Sequence, residues 1–510
     1  MKNEKIKIKK ARGKARGFFL FSLFTFLFSL VLFFSCQPEE NSDPTPNTEE
    51  PDDPSLVVLD FTAAKEQAGS AFVVPADFVG MCHAGSSDNH LDKEYPILKE
   101  MGVVWVHWDF SWSSIQRERE KDKDPAEWNW TTFDNRVERA NAEGKKIIGM
   151  LLYDVDWVHT AVTPPNPTNI TKVWPNEIPY FTKYAVETVK RYNGKNGKGK
   201  VDAWLIWNEP DLAPRFWSDP ATDPNSMEDF FELTHATASA IRGLDKTEET
   251  HTELVGGVFT AMVSDAWING LFGYEKDNVK VKDLLDGAAI HPYSPNAEGS
   301  AGVFASFREK VKPYGFEDNV WLNEMGYPTY TEKGPIPKGR YGTDQWEGDM
   351  PRVVAQTFAL TAAGGARNLT WYHLFDSADR DEGDSEDWFG LIWRKSADEW
   401  IKKGGYRSYA VSANNLPGKT YKKMEFAKAL PGAIQSYYFE GSGADNGRTL
   451  IVWNTSPLDD IDIRVKLGGS KHKLWDVETG KSSDIEKNST YTLYPDSSGK
   501  TNLVFLTWEK

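Results

Sequence analysis

Apolar residues along this chain fall into two patterns: short unbroken runs, and longer stretches where they recur every three or four positions. Eight short runs stand between residues 78 and 372: Phe78–Cys82, Val103–Trp108, Lys146–Leu151, Val201–Trp207, Leu254–Gly257, Gly287–His291, Asn319–Leu322 and Asn368–Tyr372. An unbroken run rich in β-branched and aromatic residues describes a strand buried on both faces, as in a parallel sheet. The stretches between, such as Phe133–Glu143 and Tyr180–Tyr192, have the helical period and predict crossover helices. Eight strands with eight crossovers predict a (β/α)8 TIM barrel, whose chemistry sits at the carboxyl ends of the strands. A doubly wound open sheet is the alternative. It requires a phosphate-cradling turn after the first strand, and Met81-Cys82-His83-Ala84-Gly85 is not G-x-G-x-x-G.

After about Leu416 the pattern changes to short alternating runs with turns: Ala433–Phe439, Thr449–Trp453, Ile461–Val465, Thr490–Leu493 and Leu503–Leu506. Such spacing predicts an antiparallel β-sandwich at the C-terminal end. Asp60–Ala63, ahead of the barrel, is placed as a further strand of it. The expected division is a catalytic barrel over 56–415 and an accessory sandwich over 416–510. A chain of 510 residues has room for both, since one barrel takes roughly 250.

The first 35 residues form a unit of their own. Eight basic side chains from Lys2 to Arg16 precede an apolar run from Phe18 to Phe34, then Ser35-Cys36, which resembles a bacterial lipoprotein signal with lipid attachment at Cys36. The resemblance implies a body lipid-anchored to the outer membrane, at the cell surface or on the periplasmic face. A retained membrane helix is the alternative, because the run sits at the short end of the roughly 17 to 25 residues that span a bilayer. Residues 36–55 are rich in Pro, Ser and acids, as in an extended tether. Loss of residues 1–35 removes eight bases and one acid and moves the formal net charge from −16 to −23. So acidic a body is a poor partner for nucleic acid. Cys36 and Cys82 are the only cysteines, which leaves no disulfide framework and suggests no metal site.

Two of the predicted strands end in a glutamate: Ala203-Trp204-Leu205-Ile206-Trp207-Asn208-Glu209-Pro210 and Val320-Trp321-Leu322-Asn323-Glu324-Met325-Gly326. They fall on strands four and seven, three βα units of roughly 40 residues apart. Trp-Asn-Glu-Pro on a fourth strand, with Asn-Glu-Met-Gly three strands on, resembles clan A of the retaining glycoside hydrolases, family 39 and its relatives most of all. The resemblance spans about residues 72–376 and, more weakly, the sandwich. It implies that Glu209 is the acid/base and Glu324 the nucleophile of a β-glycan hydrolase. One carboxyl protonates the leaving oxygen while the other attacks the anomeric carbon, which calls for about 5 to 5.5 Å between them. Glu209 is then expected to hold a raised pKa and Glu324 to stay ionised.

By the same resemblance, Asn208 holds the sugar 2-hydroxyl, Tyr293 of His291-Pro292-Tyr293 steadies the nucleophile, and His291 lines the sugar site. Relatives place an arginine on strand two where this chain has His107, so either His107 is protonated beside Glu324 or another group supplies the positive charge. Twenty tryptophans is a high count. Trp112, Trp157, Trp217, Trp346, Trp371 and Trp388 follow or end strands and are candidate sugar platforms, with Trp371 and Trp112 assigned to the site. The acidic stretch Asp379–Asp387 reads as a solvated loop; its spacing does not fit an EF-hand. Together these features imply a monomeric, cofactor-free and metal-free hydrolase of β-linked oligo- or polysaccharides, endo-acting in preference to an exo-acting β-xylosidase type. A transglycosidase and a non-catalytic glycan-binding lipoprotein are the remaining readings.

Overall fold

The computed structural model describes residues 55–69, 71–86, 90–117, 128–330, 345–377, 380, 384–442, 446–495 and 502–510. The signal-like segment, Cys36 and the tether as far as residue 54 lie outside the described residues, as does most of 378–383 in the acidic loop. Among the described residues no helix is long and apolar enough to cross a membrane.

Each of the eight apolar runs is a barrel strand: strand one Val79–Cys82, two Trp105–Ser111, three Lys146–Leu152, four Ala203–Ile206, five Glu253–Thr260, six Gly287–His291, seven Val320–Met325 and eight Asn368–Trp371. Every neighbouring pair is parallel, and strand eight closes on strand one. The helices between them take their form from the spacing of apolar residues. Ile178–Arg191 starts with a proline in its first turn, ends with Lys190 and Arg191, and buries Phe181, Tyr184, Ala185, Thr188 and Val189 along one stripe. The sealed end of the barrel is built from aromatics and ions. Trp105 and Trp321 meet edge to face at 5.4 Å, and Arg367 holds Asp77 through two bonds of 2.8 and 3.0 Å beneath them. Burial of Asp77 opposes its charge, but Arg367 and Lys146 together hold its carboxyl below the ordinary range. One buried indole contributes roughly 4 to 6 kcal/mol by area, so this end fixes the frame on which the opposite end works.

The sandwich takes strands from both ends of the chain. A seven-stranded sheet runs Lys481–Asp484, Ser470–Asp476, Leu503–Glu509, Gly447–Asn454, Ile434–Glu440, Thr420–Lys422, Phe72–Val73. A three-stranded sheet runs Val57–Asp60, Ile461–Lys466, Asn488–Leu493. The strand expected at Asp60–Ala63 is in fact Val57–Asp60, and Asp60 opens a turn by accepting from the Thr62 N–H at 2.9 Å. The central strands of the seven-stranded sheet, Gly447–Asn454 and Leu503–Glu509, are buried on both faces. Leu450 and Val452 face the three-stranded sheet, whereas Ile451 and Trp453 join the barrel's own core, and the Trp453 indole donates to Glu298 of the barrel helix Ala297–Val311 at 3.2 Å. One face of the seven-stranded sheet therefore belongs to the barrel's core while the other closes a separate core against the three-stranded sheet, and both sheets take strands from either side of residue 415.

Candidate active site

Strand four stops at Ile206, and the next three residues turn sharply. Trp207 and Glu209 have φ of 67° and 42°, a region that non-glycine residues rarely adopt and that gathers at functional sites. Hydrogen bonds to the flanking strands hold the turn: Trp207 N–H to Leu151 O at 3.0 Å and Glu209 N–H to Val258 O at 2.9 Å. Strand seven presents Glu324 differently. Its register against strand eight slips between Leu322 and Met325, which frees Asn323 and Glu324 from the ladder. Gly326 follows because nothing larger fits, a Cβ there standing 1.9 Å from the Tyr372 carbonyl oxygen. Gly326→Ala is accordingly expected to shift Glu324 or Tyr372 and to lower kcat/KM about a hundredfold. Unchanged kcat/KM and melting midpoint would show that the backbone yields elsewhere.

The two glutamates line one cavity of about 330 Å³ at the carboxyl end of the strands, together with Asn208, Tyr293, His107, Asp109, His83, Tyr153, Phe216, Tyr372, Phe389 and, at the rim, Arg215, Met262 and Glu386. His291 sits behind them. Its Nδ1 lies 2.7 Å from Glu209 Oε1 and 3.8 Å from Glu324 Oε1, and one oxygen of each carboxylate falls within 4.8 Å of the other. The Tyr293 hydroxyl donates to Glu324 Oε1 at 2.8 Å. Asn208 Nδ2 donates to the Tyr153 hydroxyl at 3.3 Å.

Electrostatics distribute charge unlike the sequence expectation. Burial pushes the Glu324 carboxyl above its ordinary range and Glu209 adds to the push, while His291 and the Tyr293 bond pull against it. Burial also opposes a charged His291, yet Glu324 and Glu209 outweigh it and raise the ring to about 9. His107 goes the other way: burial, then His83 and His291, push it down to about 3. The surroundings thus favour charge on His291 of strand six and oppose it on His107 of strand two.

Two expected sugar platforms lie elsewhere. Trp371 is 0% exposed and packs on Tyr327 and Tyr409, with its ring centroid 6.0 and 6.3 Å from theirs. Trp112 is 0% exposed, stacks on Tyr184 at 5.5 Å and donates to Gln116 at 2.9 Å. Trp217 is likewise core, and the Trp346 side chain lies outside the described residues. The walls are instead Tyr153, parallel to Phe216 at 5.7 Å, and the cluster of Tyr372, Phe389 and Tyr293. His291, expected to line the sugar site, is 0% exposed and touches the glutamates from behind. Lys403 and Arg380 pair with Asp376 at 2.8 and 2.9 Å, and Arg215 bonds Glu386 at 3.3 Å, which joins the loops after strands four and eight.

The loop bearing Tyr153 has its own anchor. Buried His159 bonds Glu177 at 2.9 Å and Asp154 at 3.1 Å; burial opposes its charge, but the two carboxylates raise it to about 9. A folded-state value above the ordinary 6.5 means a stabilisation fully present below pH 6.5 and lost as pH rises through about 9. Melting midpoints are expected to fall across that window, and His159→Asn to flatten the slope. A midpoint flat from pH 6.5 to 9 in the unsubstituted protein would contradict the assignment.

As to cation sites, Glu209, His291 and Glu324 bring three ligand-type atoms within 4.8 Å, but the 2.7 Å bond between His291 and Glu209 already occupies two of them. His251, Glu253 and Asp286 form a second, more exposed group at the start of strands five and six.

No family model and no curated protein sequence matches the chain. Solved structures do. A family 39 glycoside hydrolase from Bacteroides cellulosilyticus WH2 is 20% identical with a TM-score of 0.62, over 86% of this chain and 81% of that one. A monomeric β-xylosidase from Caulobacter crescentus CB15 is 14% identical with a TM-score of 0.60, over 89% and 98%. The catalytic domain of a family 30 xylanase C from Talaromyces cellulolyticus is 12% identical with a TM-score of 0.58, over 86% and 98%. Over most of its length the chain shares the TIM barrel and β-sandwich fold of the glycoside hydrolases of families 39 and 30.

Proposed function

We propose that this protein is a retaining glycoside hydrolase of the family 39 type, acting on β-linked glycans through a covalent intermediate on Glu324 with Glu209 as acid/base. One observation carries the reading: two carboxylates with oxygens within 4.8 Å of each other, at the carboxyl ends of strands four and seven, in the same cavity. So close an approach of oxygens is compatible with the roughly 5 to 5.5 Å between carboxyl groups of a retaining pair. Tyr293 and His291 support Glu324 in the ionised form that attack requires, and Asn208 lies beside Glu209 where a 2-hydroxyl would be held. When the leaving group departs, the proton comes from Glu209, and the same residue later takes one from water.

The cavity volume favours an exo-acting enzyme over the endo-acting one that the tether, the candidate aromatic platforms and the long loops after strands three, four, seven and eight suggested. About 330 Å³ is at the low end of the roughly 300 to 1,000 Å³ typical of small-molecule sites. The Arg215–Glu386 pair forms part of its lining. Export and tethering through Cys36 complete the proposal, with palmitate labelling abolished by Cys36→Ala as the expected result.

Two measurements test the reaction. Reducing-sugar release by residues 37–510 from β-glucans, xylans, mannans, galactans and their oligosaccharides, with Glu324→Gln as the blank, names the substrate. Proton NMR of the first-formed product should show the β-anomer; an initial α-anomer would exclude retention. Products longer than the supplied oligosaccharide would mark a transglycosidase, and silence on every glycan a binding protein.

A further inference from the structure

Asn323 stands one residue before Glu324, and the slip of strand seven against strand eight leaves it outside the ladder. Its backbone is held from strand one, where the Cys82 thiol donates to the Asn323 carbonyl at 3.3 Å. The side chain is fully buried and reaches His291, with Nδ2 at 2.9 Å from the ring Nε2. The amide oxygen, Oδ1, is buried with no hydrogen-bond partner.

The ring of His291 thus lies between Asn323 and Glu209, whose Oε1 is 2.7 Å from Nδ1. Which nitrogen carries the proton decides what Glu209 can do. With a proton on Nδ1, Oε1 accepts from it, and the acid proton of Glu209 sits on the other carboxyl oxygen, ready for a leaving group. With Nδ1 bare, the Glu209 proton points at the ring and away from a substrate. The amide against Nε2 fixes that choice. Nδ2 donates to a bare Nε2, which keeps the single proton of a neutral ring on Nδ1. A charged ring carries a proton on Nε2 as well, and a half-turn of the amide meets it with Oδ1, the atom otherwise left unpaired. Both charge states have to be met. Around the ring stand Glu209 and Asp211 after strand four, Glu324 on strand seven, His107 on strand two and Tyr293 two residues on; burial opposes a charge there and the three carboxylates favour it.

We propose that Asn323 is a positioning residue for the acid/base: it keeps the Nδ1–H of His291 on Glu209 in either charge state of the ring, and so leaves the acid proton on the Glu209 oxygen that serves the leaving group. The inference rests on the glycosidase reading and deepens it. A leucine at 323 gives Nε2 neither a donor nor an acceptor, and the tautomer is no longer fixed.

The test compares kcat/KM of the full chain on two β-glycosides of the sugar identified by the glycan panel, one with an alkyl leaving group and one with dinitrophenolate, which departs without a proton. Asn323→Leu is expected to lose about tenfold to a hundredfold on the alkyl glycoside and to stay within about threefold on the dinitrophenyl one. His291→Gln combined with Asn323→Leu should cost no more than His291→Gln alone, because Asn323 acts through the ring. Asn323→Ala, which removes the amide without adding an alkyl group, serves as a second variant should the leucine fail to fold. In a folded variant, an equal loss on both glycosides overturns the inference, as does no loss on either. Failure of both variants to fold would give Asn323 to the fold and overturn it too. Hydrolysis of no glycoside by the unsubstituted protein overturns the glycosidase reading itself, and this role with it.

Discussion

Glu324→Gln is expected to lower kcat by about four orders of magnitude or more while leaving the melting midpoint unchanged or higher. The amide keeps the shape and still accepts from Tyr293, but it cannot form the glycosyl ester. The gain in stability has a separate cause. Glu324 is pushed above its ordinary range by burial and by Glu209, so its ionised form is held in the fold at a cost. Removing the charge removes that cost. Activity within tenfold of the unsubstituted protein would end the nucleophile assignment, and a large drop in midpoint would show that Glu324 serves the fold.

Glu209→Ala should behave differently in both respects. On natural glycosides the loss of the acid is expected to cost about 10²- to 10⁴-fold. On an aryl glycoside with a good leaving group the first step needs no proton, the intermediate accumulates, and azide restores turnover as the β-glycosyl azide. Stability should fall, since the His291 Nδ1 bonded to Glu209 at 2.7 Å is left buried without its partner. A folded variant that yields no azide product would reassign the proton donor. The opposed stability effects of the two substitutions separate the roles even before a substrate is known.

The barrel was legible because its strands are buried on both faces and therefore read as unbroken apolar runs, and all eight lie where the runs predict them. Glu209 and Glu324 were legible for the same reason, each standing where such a run stops. The cavity walls were not. Tyr153, Phe216 and Phe389 come from loops, and nothing in the local sequence separates a tryptophan stacked in the core, as Trp112 on Tyr184, from one facing a ligand. Asp109 carried a signal that went unread, its place two residues after His107 on the inward face of strand two. His291 was misplaced by a short step, at the site but behind the glutamates, because position on a strand end does not say which carboxylate a ring will meet. The sandwich strands Phe72–Val73 and Lys481–Asp484 were missed, the first for its length and the second because all its residues are exposed and polar.

The parallel pairing of Val57–Asp60 with Ile461–Lys466 sets a clock on biosynthesis. The earlier strand leaves the ribosome about 400 residues ahead of its partner, a wait of roughly 20 to 80 s at ordinary elongation rates. A chain that has reached only as far as strand eight, which ends at Trp371, holds every barrel strand, but the face that later meets Ile451 and Trp453 is bare. A nascent chain released at 415 would keep that exposure permanently. The last hundred residues thus cover an apolar face that the barrel alone leaves open.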